Sequence, residues 1–336
     1  MIKKGLIIFL FGLSISNLVA QDIHFSQFNR SFLNLNPALN GDFKGSYRFN
    51  GNYRNQWSSV SEPFTTFSFS AESKNPFNKL KGLNLGLLFF NDEAGLGGLT
   101  TTLINLNTAY SYALNSDSSL VATAGLQFGI TSRSINFNAF RFDQQYDGVQ
   151  FNPNLASGEN FNTDSYRYFN LQAGFKLSYF IERRKRVNAG IGLYNLTQAN
   201  QSFLGSNIPL DQRSNFHIDI DYIISERIDI LPSVLYSSQG NYNELVFGTN
   251  LRYRLENSDY YKRNLYGGVW LRNEDAFILF FGLDYNQWQV GASYDINTSG
   301  LDVASSNRGG LELSVSYILQ TFKPTIRRYK RCPIFL

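Results

Sequence analysis

Apolar and polar residues alternate along most of this chain. In the segment NLQAGFKLSYFI, Leu171, Ala173, Phe175, Leu177, Tyr179 and Ile181 take every second position, and Asn170, Gln172, Gly174, Lys176 and Ser178 fill the others. Successive side chains of a strand point to opposite faces, so such a segment has one apolar and one polar face. The pattern returns in FHIDIDYI, where Phe216, Ile218, Ile220 and Tyr222 oppose His217, Asp219 and Asp221. It returns again in WQVGASYDI (288–296) and LELSVSYIL (311–319). This pattern predicts about fourteen strands of roughly ten residues, the length that crosses a bilayer when tilted. They begin near Ser46, Phe64, Gly82, Thr100, Leu120, Arg167, Arg186, Arg213, Arg227, Glu244, Leu265, Ala276, Gln287 and Gly309. AFILFFGL, from Ala276, is nearly all apolar and is read as a strand from its neighbours.

A soluble sandwich would bury the apolar faces, whereas an outer-membrane barrel turns them to lipid. Three features point to an all-β transmembrane antiparallel barrel. The polar faces carry Asn, Gln, Ser, Gly and charge, as a wet or plugged lumen requires. Connections alternate in length: NSDS (115–118), ERRK (182–185) and SE (225–226) are short, while 132–166 and 195–212, the two longest, fall on the other side. Short periplasmic turns and long outer loops are the barrel asymmetry, and a sandwich has no reason to sort loops by parity. The closing strand GGLELSVSY (309–317) resembles the assembly signal of Gram-negative outer-membrane proteins.

The N-terminus has the layout of a secretory signal peptide, with a retained membrane anchor as the alternative. Lys3 and Lys4 precede an apolar run from Leu6 to Val19, and Ala20 supplies a small residue for cleavage. The expected organisation is a signal peptide over 1–20, a periplasmic or lumenal segment over 21–45, the barrel over 46–320 and a periplasmic tail over 321–336. An even strand number puts both chain ends on the periplasmic side.

Composition narrows the chemistry. The only cysteine is Cys332, so no intramolecular disulfide forms, and two histidines leave a zinc site or a histidine-based triad poorly supplied. A net charge of +4 over 336 residues gives no nucleic-acid signal. His217, Asp219 and Asp221 share one inward face and could form a base with a carboxylate pair, or a cation site. The simpler reading is a polar lumen in which Lys176, Arg252 and Arg254 supply counter-charge beside Glu244 and Glu312. The glycine-rich GLGGLT (95–100) lacks the Lys and βαβ context of a phosphate loop and reads as an outer turn. RRYKR (327–331) suits anionic lipid headgroups of the outer membrane or an acidic partner, or is a solvated tail. No cofactor, metal or catalytic residue is expected.

The stretch QDIHFSQFNRSFLNLNPALNG (21–41) does not alternate. Phe25, Phe28, Phe32 and Leu35 are spaced three, four and three apart, which predicts a helix against the barrel wall or plugging its lower mouth. Pro37 and Gly41 would end it and turn the chain into the first strand. His24 reads as a hydrogen-bonding anchor.

DIHFSQF and NLNPALNG, followed by NYRNQW (52–57), resemble the opening of the PorP/SprF family, type IX secretion system membrane proteins of the Bacteroidota. GLLFFNDEAGLGGLTTTLINLNTAYSYAL (86–114), GIGLYNLTQANQSFLG (190–205), GASYDINTSGL (291–301), RGGLELSVSY (308–317) and RCPIF (331–335) resemble later blocks of that family, in order. Ile23 and the extended ILQTFKPTIRRYK before the Cys-Pro pair depart from its pattern. The resemblance implies a non-enzymatic part in protein export and, in gliding members, in presenting surface adhesins. Its implied partners are a secreted cargo bearing a type IX C-terminal signal and periplasmic machine components or a lipoprotein. The partner-binding candidates at the two chain ends are His24, Phe25, Phe28, Phe32, Asn36, Pro37, Arg327, Arg328, Arg331, Cys332 and Pro333. A diffusion or solute-specific pore is the alternative that the strand pattern leaves open.

Overall fold

The alternation in sequence becomes the wall of a closed ring. A computed structural model of the protein describes residues 24–56, 62–77, 79–159, 161, 163–182, 184–256, 263–299 and 308–319. The strands are β1 Tyr47–Gln56, β2 Phe64–Lys74, β3 Leu83–Ala94, β4 Leu99–Ala113, β5 Leu120–Ser134, β6 Ser165–Glu182 and β7 Lys185–Tyr194. They continue with β8 Arg213–Ile223, β9 Ile228–Gln239, β10 Tyr242–Arg254, β11 Arg263–Arg272, β12 Ala276–Tyr285, β13 Trp288–Asn297 and β14 Arg308–Leu319. Every strand pairs antiparallel with its sequence neighbours, and β1 pairs with β14 from Tyr47↔Leu319 to Gln56↔Gly310, closing the barrel. Each expected strand start lies within two residues of the observed one.

The apolar faces point outward. Phe175, Leu177, Tyr179, Phe216 and Ile218 are exposed, while Gln172, Lys176, Ser178 and His217 are buried inside. A continuous apolar exterior around a polar interior suits a lipid surrounding. Long connections, residues 135–164 and 195–212, gather at the end where β1 finishes, here the loop end. At the opposite turn end the connections 183–184, 224–227 and 286–287 are short.

Residues 24–43 lie inside the barrel. The expected continuous helix is replaced by three short turns: a 3-10 turn at Phe28–Arg30, one α-turn at Phe32–Leu35 and a second 3-10 turn at Pro37–Leu39. Ser31, at φ −114° and ψ 63°, breaks the first from the second. Asn36 is extended, as a residue before proline prefers. Pro37 therefore opens a turn instead of ending one, with Asn36 Oδ1 accepting the Ala38 N–H at 2.8 Å.

The apolar character of β12 now has a cause. Its inward residues Ile278 and Phe280 join Trp270, Val246 and Leu235 in a dry patch of wall that receives Phe28, Leu35 and Leu39 of the lumenal segment. Phe28 meets the Trp270 ring edge to face at 5.4 Å and 84°. Burying such side chains stabilises by about 1.5–3 kcal/mol each. A wall strand facing this segment is thus apolar on both sides.

Candidate functional site: the N-terminal plug in the lumen

The lumenal segment is a plug with three seats. At the loop end, Glu312 on β14 accepts the main-chain N–H groups of Ser26 and Gln27 at 2.7 and 3.0 Å. The Gln27 side chain donates to the Glu312 carbonyl at 2.9 Å and accepts from Ser314 at 2.6 Å. Ser26 Oγ donates to Asp295 at 2.6 Å and accepts from Arg272 at 2.7 Å. Arg54 on β1 donates to the His24 carbonyl at 2.6 Å and to Asp295 at 3.0 Å. Four strands thus grip the start of the plug through two arginines and two carboxylates. A buried network of this kind is costly to break, because the surviving charge is left without its partner.

The middle seat is a shelf of glycines. Gly125, Gly174 and Gly192 lie side by side on β5, β6 and β7, all facing inward. A Cβ on Gly125 would stand 2.5 Å from the Pro37 carbonyl carbon, and one on Gly192 would stand 2.8 Å from the Leu35 oxygen. The absent side chains let plug backbone lie against the wall. Asn36, fully buried here, donates to the Phe175 carbonyl and to His217 Nε2, each at 3.1 Å. Since Asn36 Oδ1 accepts from Ala38, its Nδ2 must be the donor to His217. Nδ1 of His217 then carries the proton and donates to Asp219 at 2.9 Å. The inward His217–Asp219 pair therefore holds the plug, and this accounts for its geometry without a reaction.

The third seat is at the turn end. Asp42 pairs with Lys176 at 2.8 Å and Arg186 at 3.1 Å. Arg48 binds both oxygens of Glu72 at 2.8 Å and stacks over Phe32 at 3.6 Å. Gly41, at φ +82°, turns the chain toward β1 and donates its N–H to Glu72 at 3.2 Å.

Two plug groups have displaced titration. Burial, with Arg272, Arg54 and Arg213 nearby, holds the His24 imidazole well below its usual 6.5. Glu244, 3.4 Å away, opposes this and is outweighed. Burial of Asp42 favours its neutral form, yet Lys176, Arg186 and Arg48 overcome this and keep the carboxyl far below the usual range.

His24, Phe25, Phe28, Phe32, Asn36 and Pro37 all lie in this plug, brought together in the lumen. Phe25 packs edge-on against Phe90 at 6.3 Å, and Phe32 lies partly buried against the apolar wall. Arg327, Arg328, Arg331, Cys332 and Pro333 fall outside the described residues. Of the two expected placements, along the barrel wall or in its lower mouth, the segment takes the wall and reaches the turn end only near Asp42. The segment runs the other way to His24, beside the loop-end residues Arg54, Glu244 and Arg272. Among the described residues, no group of three or more His, Cys, Asp or Glu could hold a metal ion. The residues missed in sequence are the seats: Asp295, Arg54 and Arg272, and the glycines at inward positions of adjoining strands. That a glycine repeats where alternation demands a polar lumen residue is the signal that marks the shelf.

The sequence profile of the type IX secretion system membrane protein PorP/SprF family matches residues 17–317. The chain belongs to this family. No curated protein matches this PorP/SprF chain in sequence. Among solved structures, the PorP/SprF barrel is similar to the toluene transporter TbuX of Ralstonia pickettii, with a TM-score of 0.50 and 12% identity over 86% of this chain and 92% of that one. The Pseudomonas putida toluene transporter TodX gives 0.49 and 11%, covering 86% and 93%. A Pseudomonas aeruginosa FadL homologue gives 0.49 and 10%, covering 84% and 92%. At such identities the likeness concerns the outer-membrane barrel fold alone.

Proposed function

We propose that this protein is a non-enzymatic outer-membrane component of the type IX secretion and gliding machinery. It binds the C-terminal signal of a secreted surface protein or adhesin, a periplasmic component of the machine, or both. In this reading a signal peptide exports the chain, the turn end faces the periplasm, and the tail beyond β14 leaves on that side. The observation that carries it, beside family membership, is the packed lumen. Phe28, Leu33, Asn36, Ala38 and Asn40 of the plug are buried, and so are Asn52, Arg54, Asn105 and Gln127 of the wall around them. A barrel filled this way is suited to holding partners and poorly suited to passing solutes, which argues against the diffusion pore.

Affinity purification of the intact protein from its own outer membrane, with identification of the proteins that accompany it, tests this reading. Type IX cargo or machine components should co-purify, and the pure protein should show no steady conductance in planar bilayers. A steadily conducting barrel with no export partner would overturn it in favour of the pore.

A further inference from the structure

Above the lipid-facing band, the outward wall of β2 to β6 changes chemistry from one cross-strand row to the next. Strand register aligns Phe69, Phe89, Ile104, Ile130 and Phe169 in one row, all facing outward. The next outward row toward the loop end reads Phe67, Asn91, Thr102, Ser132 and Arg167. The row after that reads Thr65, Glu93, Thr100, Ser134 and Ser165. A wall of aromatic and aliphatic side chains thus gives way to hydroxyls, one carboxamide, one carboxylate and one exposed guanidinium.

Immediately over these rows Gly98 and the two ends of the long 135–164 connection border an open hollow of about 550 Å³. Ser134, Asn136, Phe137, Asn138, Asp164 and Ser165 contribute to its lining. The floor is fixed by main-chain bonds, Asn136 N–H to the Gly97 carbonyl at 2.9 Å and Ile135 N–H to the Asp164 carbonyl at 2.9 Å. Phe137 is stacked on Phe161 at 3.6 Å and meets Phe203 edge-on at 6.0 Å, so the two long connections brace each other beside the opening. The cavity has the size of a small-molecule site.

We propose that this outward face and its cavity bind an acidic glycolipid of the surrounding leaflet. The apolar row continues the lipid-facing band, so acyl chains lie along Ile104, Ile130 and Phe169. The ladder of Ser132 and Ser134, with Thr102, which already accepts from Asn91 at 2.9 Å, and Ser165, which already donates to Asp164 at 3.1 Å, matches the hydroxyls of a saccharide headgroup, which both donate and accept. Asn136, Asn138 and Asp164 supply further partners in the cavity. Arg167, exposed at the boundary row, meets a phosphate or carboxylate on the headgroup. A plain phospholipid headgroup would satisfy Arg167 but leave the hydroxyl ladder and the cavity unused. Continuity with the band selects a lipid over a free saccharide.

The test is native mass spectrometry of the full-length protein, extracted in mild detergent from its own outer membrane. The wild-type protein should carry a glycolipid. Ser132→Leu/Ser134→Leu should lower its retention about tenfold, since two hydrogen-bonding groups are lost. Ser132→Leu alone serves if the double change fails to assemble, with a smaller loss. Arg167→Ala should release the acidic glycolipid preferentially over a neutral one. Ser238→Leu, on the outward face of β9, should retain the lipid, and heat-modified electrophoretic mobility reports that each barrel is folded. Added to delipidated protein, the glycolipid should bind and its deacylated saccharide should not. Equal retention in the folded β5 variants, equal binding of phosphatidylethanolamine, or equal binding of the deacylated saccharide would each overturn the proposal.

Discussion

Glu312 and Ser26 are 286 positions apart in sequence, yet the carboxylate of one accepts the main-chain N–H of the other at 2.7 Å, and takes that of Gln27 as well. Two N–H groups converging on one buried carboxyl group form an anchor. Glu312→Ala should detach the loop-end third of the plug, costing about 3 kcal/mol of local stability, while β14 still pairs with β1. Cysteine introduced by Ser26→Cys should be protected from a water-soluble maleimide in the otherwise native barrel and become reactive in the Glu312→Ala background. Unchanged protection would show that the anchor does not hold the plug.

Acid should loosen the plug from its two ends in a fixed order. A histidine held below 6.5 prefers the neutral ring, so its contribution is complete above pH 6.5 and is lost as pH falls through the lowered value. Asp42 lies far below its usual 3.8, so its contribution is complete above that pH and is lost only under stronger acid. Around His24 stand Arg54, Arg213, Arg272 and Glu244, and around Asp42 stand Lys176, Arg186, Arg48 and Lys74. Hydrogen exchange measured at about pH 7.5 and about pH 5 should show residues 24–27 losing protection while residues 40–43 keep it. The reverse order would contradict this assignment, and His24→Gln should diminish the milder step.

The glycine shelf makes a sharper demand than any polar seat. Gly125→Val places methyl groups where Pro37 lies, so the plug turn must lift away although β5 retains its wall pairing. We expect a folded barrel, by heat-modified mobility, with increased ion conductance and faster exchange at Asn36 and Ala38. Gly51→Val is the control, because a Cβ there meets nothing within 4 Å. Equal behaviour of the two variants would remove the shelf from the account.

The described end of β14 sets the last prediction. Leu319 pairs with Tyr47 at the turn end, so the β1–β14 seam runs to the last described residue of the strand. Removing residues 321–336 should leave an assembled barrel of unchanged mobility, with co-purification of export partners reduced. Normal capture by the shortened protein would separate the tail from partner binding.

The wall was legible in sequence because a two-residue period has no competing interpretation once loops sort by parity. Ser46, Phe64 and Ala276 mark strand starts almost to the residue. The plug was less so. Phe25, Phe28, Phe32 and Leu35 have helical spacing, but in the lumen each finds a different wall partner, and the pull of separate seats outweighs a helix too short to be stable alone. The partners themselves were invisible for a simple reason. Glu312 and Asp295 look like ordinary lumen charge until the chain folds Ser26 against them, hundreds of positions away.

The seam of the barrel carries one more consequence. Arg54 belongs to β1 and Glu312 to β14, opposite each other across the only pairing that joins the two ends of the sheet. His24 is bound to the first, and Ser26 and Gln27 to the second. The segment is therefore a clasp as well as a stopper. Its contacts bridge the first and last strands, so losing the plug removes bonds from both sides of the barrel's seam at once.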